Sequence, residues 1–354
     1  MDTLDLSGAP FTHWPPIPGA ASDIHTLFIE RAGLERLPDG IAQFTELEEL
    51  HLDGNRLDAL PDDIGRFSHL RRLSLYSNHV ATLPPSVAQL RNLEDLSLGR
   101  NGFDAVPGVI FGLTGLRRLN LAENALDAIP AEIGALTRLR MLDLGHNRLR
   151  ELPSELGALT NLTDALYLSD NRLRAIPESV FRQMTRLRYL GLTHNPLDAL
   201  PTTIGELANL EELRVYNTGL QSLPESVAQL ANLRELHAQQ NRLMSLPAGA
   251  GALTRLKTLV VSDNQLARLP ASLTQLGQLE VLDLRNNPLL SLPEDMDGFA
   301  RLTHLDLRAT RLATLPDSVA ALPHLEKLDL RWTKLHRLPP WLHTLEERGC
   351  RVLI

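Results

Sequence analysis

Few side chains in this sequence have types and spacings that suggest chemistry. His146, Asp170 and His194 stand 24 residues apart. Two histidines around a carboxylate could suggest a metal site. Tyr167, Tyr189 and Tyr216 fall in the same stretch and are three of only four tyrosines. Cys350 is the single thiol. Ala248-Gly249-Ala250-Gly251 is glycine-rich but lacks the Gly-Lys-Ser/Thr that completes a phosphate loop. None of these is a local catalytic pattern. What they do depends on the elements that hold them.

Those elements come from a repeat. The string Leu47-x-x-Leu50-x-Leu52-x-x-Asn55-x-Leu57-x-x-Leu60-Pro61 recurs along the chain. Its asparagine slots fall at 9, 32, 55, 78, 101, 124, 147, 171, 195, 218, 241, 264, 287, 310 and 333, which makes fifteen units. Every step is 23 residues except 147 to 171 and 171 to 195, which are 24. A proline follows each slot by six residues, from Pro15 to Pro339. A period of this length marks a solenoid, in which each unit buries its apolar face only against its neighbours.

Each position has a physical role. Leu50 and Leu52 alternate, which puts one face of a short strand into the core. Parallel strands of successive units then pair about 4.8 Å apart. The slot amide donates and accepts, so it can satisfy buried backbone groups of adjacent turns. Ten slots hold Asn; the exceptions are Ala9, Ala32, Thr218, Thr310 and Thr333. Threonine can replace the ladder in part and alanine cannot. The Leu-Pro pair ends strand pairing. Beyond it, Pro130-Ala-Glu-Ile133-Gly-Ala-Leu136-Thr-Arg-Leu139 spaces apolar residues by three, which suits a short helical turn.

With these residues in view, the chain resembles the leucine-rich repeat superfamily, in its 23-residue class. It is similar to intracellular Ras-group repeat proteins and to repeat domains of bacterial secreted effectors. The resemblance implies an α/β solenoid: a horseshoe with a concave parallel β-sheet and a convex side of short helical turns. It also implies protein recognition, often as the targeting part of a larger protein, and no shared catalytic residue. Residues 1–354 read as one repeat domain, with 340–354 as a C-terminal cap. In that cap Trp341–Arg348 form an amphipathic turn, Gly349 ends it, and Cys350–Ile354 form a last strand.

On this scaffold the candidate residues lie on the sheet face. Between the leucines runs a column containing Asp143, Tyr167, Arg214 and His237, ending in Asp283, Asp306 and Asp329. Arg285, Arg308 and Arg331 stand two residues beyond that acidic run, so mutual neutralisation on an exposed surface is expected there. Just before the slots a column reads His146, Asp170, His194, Asn217, Gln240. His146 and His194 are two strand spacings apart, near 10 Å, too far to share one ion readily. No metal and no cofactor are expected. Cys350 sits at an apolar strand position, as a buried structural thiol would. The site expected is a partner-binding patch of Tyr167, Tyr189, Tyr216, His146, Asp170, His194, His237 and Asp143. Tyrosine supplies area and a hydroxyl at low entropy cost.

Composition narrows the class. The formal charge of −8 and pI near 5.8 disfavour nucleic acid and anionic membranes as partners. No run of 18 apolar residues exists, and no signal peptide is visible. One cysteine cannot close disulfide caps, which points to a reducing setting: the cytoplasm, or a host cytoplasm for an effector. The chain starts inside a repeat, with Met1, Leu4 and Leu6 at strand positions. Either Phe11, Trp14 and Ile17 cover that edge or upstream residues belong to a longer parent. Asn161-Leu162-Thr163 matches the glycosylation sequon and reads as a product of the repeat. The leading expectation is a monomeric, non-enzymatic module binding a protein partner, as an effector domain or intracellular scaffold. The alternatives are the substrate-recognition region of a larger enzyme, such as an effector ubiquitin ligase, and a self-associating structural protein.

Overall fold

The computed structural model describes residues 2–17 and 19–354, so Met1, the first expected strand residue, lies outside the described residues. Two compact units make up the chain, Met1–Arg172 and Leu173–Ile354. The first holds β1 (Asp2–Asp5), β2 (Ile24–Phe28), β3 (Glu49–His51), β4 (Arg72–Ser74), β5 (Asp95–Ser97), β6 (Arg118–Asn120), β7 (Met141–Asp143) and β8 (Ala165–Tyr167). The second holds β9 (Tyr189–Gly191), β10 (Glu212–Arg214), β11 (Glu235–His237), β12 (Thr258–Val260), β13 (Val281–Asp283), β14 (His304–Asp306), β15 (Lys327–Asp329) and β16 (Arg351–Leu353). Within each unit every strand pairs in parallel with its chain neighbour.

The register follows the leucines. Leu50 stands opposite Leu73, and Leu213 opposite Leu236. Leu50 and Leu52 are fully buried while His51 between them faces the other way and is half-buried. A slip of one residue would expose every leucine, so this alternation fixes the pairing. Behind the sheet lie Phe44, Phe67, Phe103, Phe181 and Phe299, all fully buried.

The chain returns on that side through short turns, as the three-residue spacing predicts. They are mostly 3-10 turns, such as Ala131–Ala135 after Pro130, because three residues per turn matches the apolar spacing. The second long repeat departs from this. Ten residues separate Pro177 from Leu187, against nine from Pro153 to Leu162. The extra residue is taken up by converting the turn to an α-helix, α1 (Glu178–Phe181), which uses more residues per turn. The first long repeat absorbs its extra residue ahead of β8. Thr163 and Asp164 both donate to the Arg140 carbonyl, and Ala165 is buried where most strands place a half-exposed residue. Leu166 and Tyr167 then return to register with Leu142 and Asp143.

The slot asparagines stitch adjacent repeats as expected. Asn124 Oδ1 accepts from Phe103 N (3.1 Å), and its Nδ2 donates to the carbonyls of Leu98 (3.0 Å), Leu121 (3.1 Å) and Ala122 (3.1 Å). Threonine keeps part of this pattern: Thr218 Oγ1 donates to Val215 O and Thr310 Oγ1 to Leu307 O, each within its own repeat. At the Thr218 break, Leu197 N turns to the Asn195 carbonyl instead of a slot amide. A second stitch runs on the turn side. Asn161 Nδ2 donates to Thr137 O and Asn232 Nδ2 to Ala208 O, so the sequon asparagine has a structural use.

Residues 11–14 and 342–353 add local packing. Trp14 packs edge-on against Phe44 with centroids 5.1 Å apart, Phe11 leans on Trp14, and Trp14 Nε1 donates to Asp39 O. Leu342–Glu347 form α2, Gly349 is left-handed at φ 92°, and β16 pairs with β15. Cys350 is buried, and that burial pushes its thiol up from the usual range. No helix among the described residues is long and apolar enough to cross a membrane.

Candidate functional site

The residues before the slots are held by backbone geometry. Thirteen non-glycine residues have positive φ, from 50° to 62°, and each immediately precedes a slot; Gly8 and Gly54 do the same in the two remaining repeats. His146, Asp170 and His194 are three of the thirteen. The turn from the sheet therefore needs one left-handed residue, which costs a non-glycine side chain roughly 1 kcal/mol or more. Sequence reading saw the column but not its conformation; Gly8, Gly54 and the asparagines and aspartates within it were the available signal.

In the first unit this rim carries Arg100 beside Glu123 and His146 beside Asp170, with His146 Nδ1 3.6 Å from Asp170 Oδ2. The fourth tyrosine, Tyr76, also belongs to this face. Its hydroxyl donates to Glu123 two repeats away, and its ring lies against Gly99, where a Cβ would come within 2.9 Å of it. Tyr76 occupies the same column as Tyr216, two residues before the slot, so it could have been found. Tyr167 is half-buried on β8. Asp143 is half-buried on β7, and its Oδ1 accepts from Gly145 N at 3.0 Å. Burial raises the Asp143 carboxyl above the usual range, against the lowering pull of Gly145 N–H and His146.

The opposite lip of this unit is a ladder of alternating charge that the sequence reading overlooked. Glu48 and Glu49, Arg71 and Arg72, Glu94 and Asp95, and Arg117 and Arg118 follow one another on successive repeats and line a groove of about 380 Å³ with Arg140 and Asp164. Arg72 bridges Glu49 (2.9 Å) and Asp95 (3.6 Å), and Arg117 meets Glu94 (3.3 Å). The rungs neutralise one another. The signal was present at 23-residue spacing in the positions before the second leucine.

In the second unit the face gathers aromatic and charged groups around Arg214. Its guanidinium lies 5.9 Å from the Tyr189 ring centroid and is ion-paired with Glu212. His194 meets the Tyr216 ring edge-on at 5.3 Å. His237 Nε2 lies 3.0 Å from Glu235 Oε2. The ligand-capable atoms of Glu212, Glu235 and His237 lie within 4.8 Å of one another, a grouping the sequence reading had not considered for a cation. Arg214 already supplies the positive charge there. The candidate residues thus divide between the units: His146, Asp143, Tyr167 and Asp170 in the first, Tyr189, His194, Tyr216 and His237 in the second.

The acidic strip at 283–329 corrects one expectation. It is neutralised, but not on an exposed surface. Asp329 has no exposed side-chain area, and Arg331 (2.8 Å) and Arg308 (3.4 Å) both reach it. Although burial raises the Asp329 carboxyl, the bonds and charges from these arginines outweigh that and hold it below the usual range.

The geometry is a periodic sheet face, and comparison with known proteins gives it a family. Models for leucine-rich repeats match residues 45–103, 91–149 and 278–299, and a leucine-rich repeat region model matches 176–284. A leucine-rich repeat protein from Leptospira interrogans is similar at 30% identity and a TM-score of 0.79, covering 94% of this chain and 96% of its own. The chain belongs to the leucine-rich repeat superfamily. This repeat protein is also similar to YopM from Yersinia enterocolitica, at 25% identity and a TM-score of 0.70, over 96% of this chain and 70% of the other. A plant peptide hormone receptor, RGFR1 in complex with RGF2, is similar at 26% identity and a TM-score of 0.69, over 95% of this chain and 61% of the receptor. A search of curated protein sequences returned no match. Each unit is an α/β leucine-rich repeat solenoid, a fold whose members generally mediate protein–protein interaction.

Proposed function

We propose that this repeat protein is a protein-binding module that takes its partner on the exposed face of its parallel sheet. One observation carries the reading. Around β9 and β10, Arg214 lies against the Tyr189 ring and within electrostatic reach of Tyr216, whose ring meets His194, on the face opposite the leucines. Tyrosine and arginine are the residues that most often dominate binding energy at interfaces. None of the four fills the core. The similar plant receptor, solved with RGF2 bound, supports a recognition role. The likeness to repeat proteins of Leptospira interrogans and Yersinia enterocolitica supports a bacterial origin. We therefore read the module as an effector domain or scaffold acting in a cytoplasm.

Proximity labelling in the source cell, followed by binding measurements with the purified partner, tests this. Tyr189→Ala with Tyr216→Ala is expected to weaken binding at least tenfold, since a central tyrosine is worth upwards of about 1–2 kcal/mol. The melting temperature should stay within a few degrees of the parent. Tyr167→Ala, in the first unit, is measured separately. Normal affinity in both variants overturns the site, and a partner cross-linked only to the turn side overturns the reading.

A further inference from the structure

The aspartates between the leucines carry a second message. Asp283, Asp306 and Asp329 are each followed two residues later by an arginine, within the triplet Asp-Leu-Arg. In all three the guanidinium folds back onto the carboxylate: Arg285 Nε at 3.5 Å, Arg308 with Asp306 through three hydrogen bonds, and Arg331 Nη2 at 2.8 Å. This repeat position therefore accepts an arginine on its aspartate. In β7 the triplet is Asp143-Leu144-Gly145, so the arginine is missing. Asp143 is half-buried in the same face, yet no ion pair reaches it among the described residues, and its Oδ2 has no hydrogen-bond partner there. Glu123 stands on the rim of one adjacent repeat and Asp170 on the other, and the nearest group able to carry positive charge is His146 of the same repeat, which faces Asp170. Only Asp143 Oδ1 at 3.2 Å and Ser169 O at 3.5 Å lie within 4 Å of where a Gly145 side chain would begin. No cation from a neighbouring repeat substitutes for the absent one.

We infer that Asp143 is a recognition carboxylate for an arginine side chain of the protein partner, which would complete in trans the pair that Arg285, Arg308 and Arg331 complete in cis. This rests on the protein-binding reading and adds the chemistry of one contact. A planar guanidinium suits a carboxylate in this setting better than an ammonium, since it can bond both oxygens.

The test uses N-acetyl-arginine amide as the probe, with the whole chain followed by the Asp143 and Gly145 backbone amide signals in NMR. A saturable shift at these amides is expected, at least fivefold weaker in Asp143→Asn. N-acetyl-lysine amide should bind more weakly than the arginine probe. Free arginine should bind no better than the blocked form, because an in-chain arginine offers only its side chain. A Gly145→Arg variant should fold, bring the Asp143 carboxyl lower than in the parent, and abolish probe binding. Equal binding in Asp143→Asn, a preference for free arginine, or an Asp143 carboxyl unmoved by Gly145→Arg would overturn the inference. Partner binding unaffected by Gly145→Arg but lost in the tyrosine variants would overturn this contact alone and leave the protein-binding reading intact.

Discussion

Replacing Asn124 by alanine isolates the amide ladder from everything else in a repeat. The side chain makes four hydrogen bonds: one accepted from Phe103 N and three donated to carbonyls of its own and the preceding repeat. The Ala122 and Leu121 carbonyls lie in its own turn. Phe103 N and Leu98 O belong to the preceding repeat; Leu98 O keeps the Asn101 amide (3.1 Å), so truncation strands Phe103 N alone. An unsatisfied buried backbone group costs about 1–3 kcal/mol. One such group, with three donated bonds lost beside it, gives an expected loss of about 2–3 kcal/mol. Thr310→Ala is the control, because it removes one bond, from Oγ1 to Leu307 O at 2.7 Å, and strands no group of another repeat. Its expected cost is about 1 kcal/mol. Urea unfolding gives the two losses, and native-state hydrogen exchange gives their location. Phe103 should exchange much faster in Asn124→Ala, while amides two repeats away change little, as nearest-neighbour coupling requires. Equal midpoints for the two variants, or unchanged protection at Phe103, would refute the ladder as a source of inter-repeat stability.

Other positions give further expected outcomes. Leu144→Ala, at a fully buried position, should cost about 2–5 kcal/mol in denaturant unfolding. Gly298→Ala should destabilise the second unit markedly, because its Cβ would meet Thr274 O at 1.8 Å, whereas Gly108→Ala meets nothing within 4 Å and should be tolerated in a thermal melt. The raised Asp143 carboxyl means the folded state holds its proton longer than the unfolded chain. Its contribution to stability therefore declines as pH rises from the ordinary aspartate range through the raised value, and Asp143→Asn should remove that slope. Asp329 has the opposite sign: its contribution is present above the ordinary range and disappears as pH falls through its lowered value. Asp329→Asn should cost about 1–3 kcal/mol at neutral pH by leaving Arg331 and Arg308 short of an acceptor. Melting curves across pH 3–8 (roughly the carboxylate range and above) would separate the two.

Much of the architecture was legible because it is periodic. Leu50, Leu52, Asn55 and Pro61 each do one job in every repeat, so fifteen copies average away local ambiguity. The strand register, the slot hydrogen bonds and the helix-glycine-strand ending at 342–353 were all read from residue types. What escaped was set by conformation or by side-chain reach. The left-handed residue before each slot is only weakly marked, since Arg31, Glu123, Gln240 and Trp332 occupy it as well as glycine and asparagine. The α-helical form of 178–181 followed from one extra residue, whose place was read but whose effect was not. Tyr76 was passed over because its partner, Glu123, lies two repeats away, beyond any local pattern. The burial of Asp329 depends on two arginines closing over it from different repeats. Of the candidate site, the sequence supplied the face and its columns, while the contacts around Arg214 emerged only from the structure.

The left-handed column has a practical reach. At thirteen positions the backbone would accept glycine with less strain than the residue present, and each side chain stands on the rim rather than in the core. Such positions uncouple surface chemistry from folding: residues there can be exchanged in bulk without disturbing a single core leucine. A library varied only at Arg100, Glu123, His146 and Asp170 in the first unit, or at His194, Asn217, Gln240 and Asp263 in the second, would start from a stable scaffold in every member. Trp332, left-handed at φ 62° and 71% exposed, shows that even the bulkiest side chain is admitted. The repeat thus behaves as a frame with interchangeable lettering, in which new specificities can be written one line per repeat.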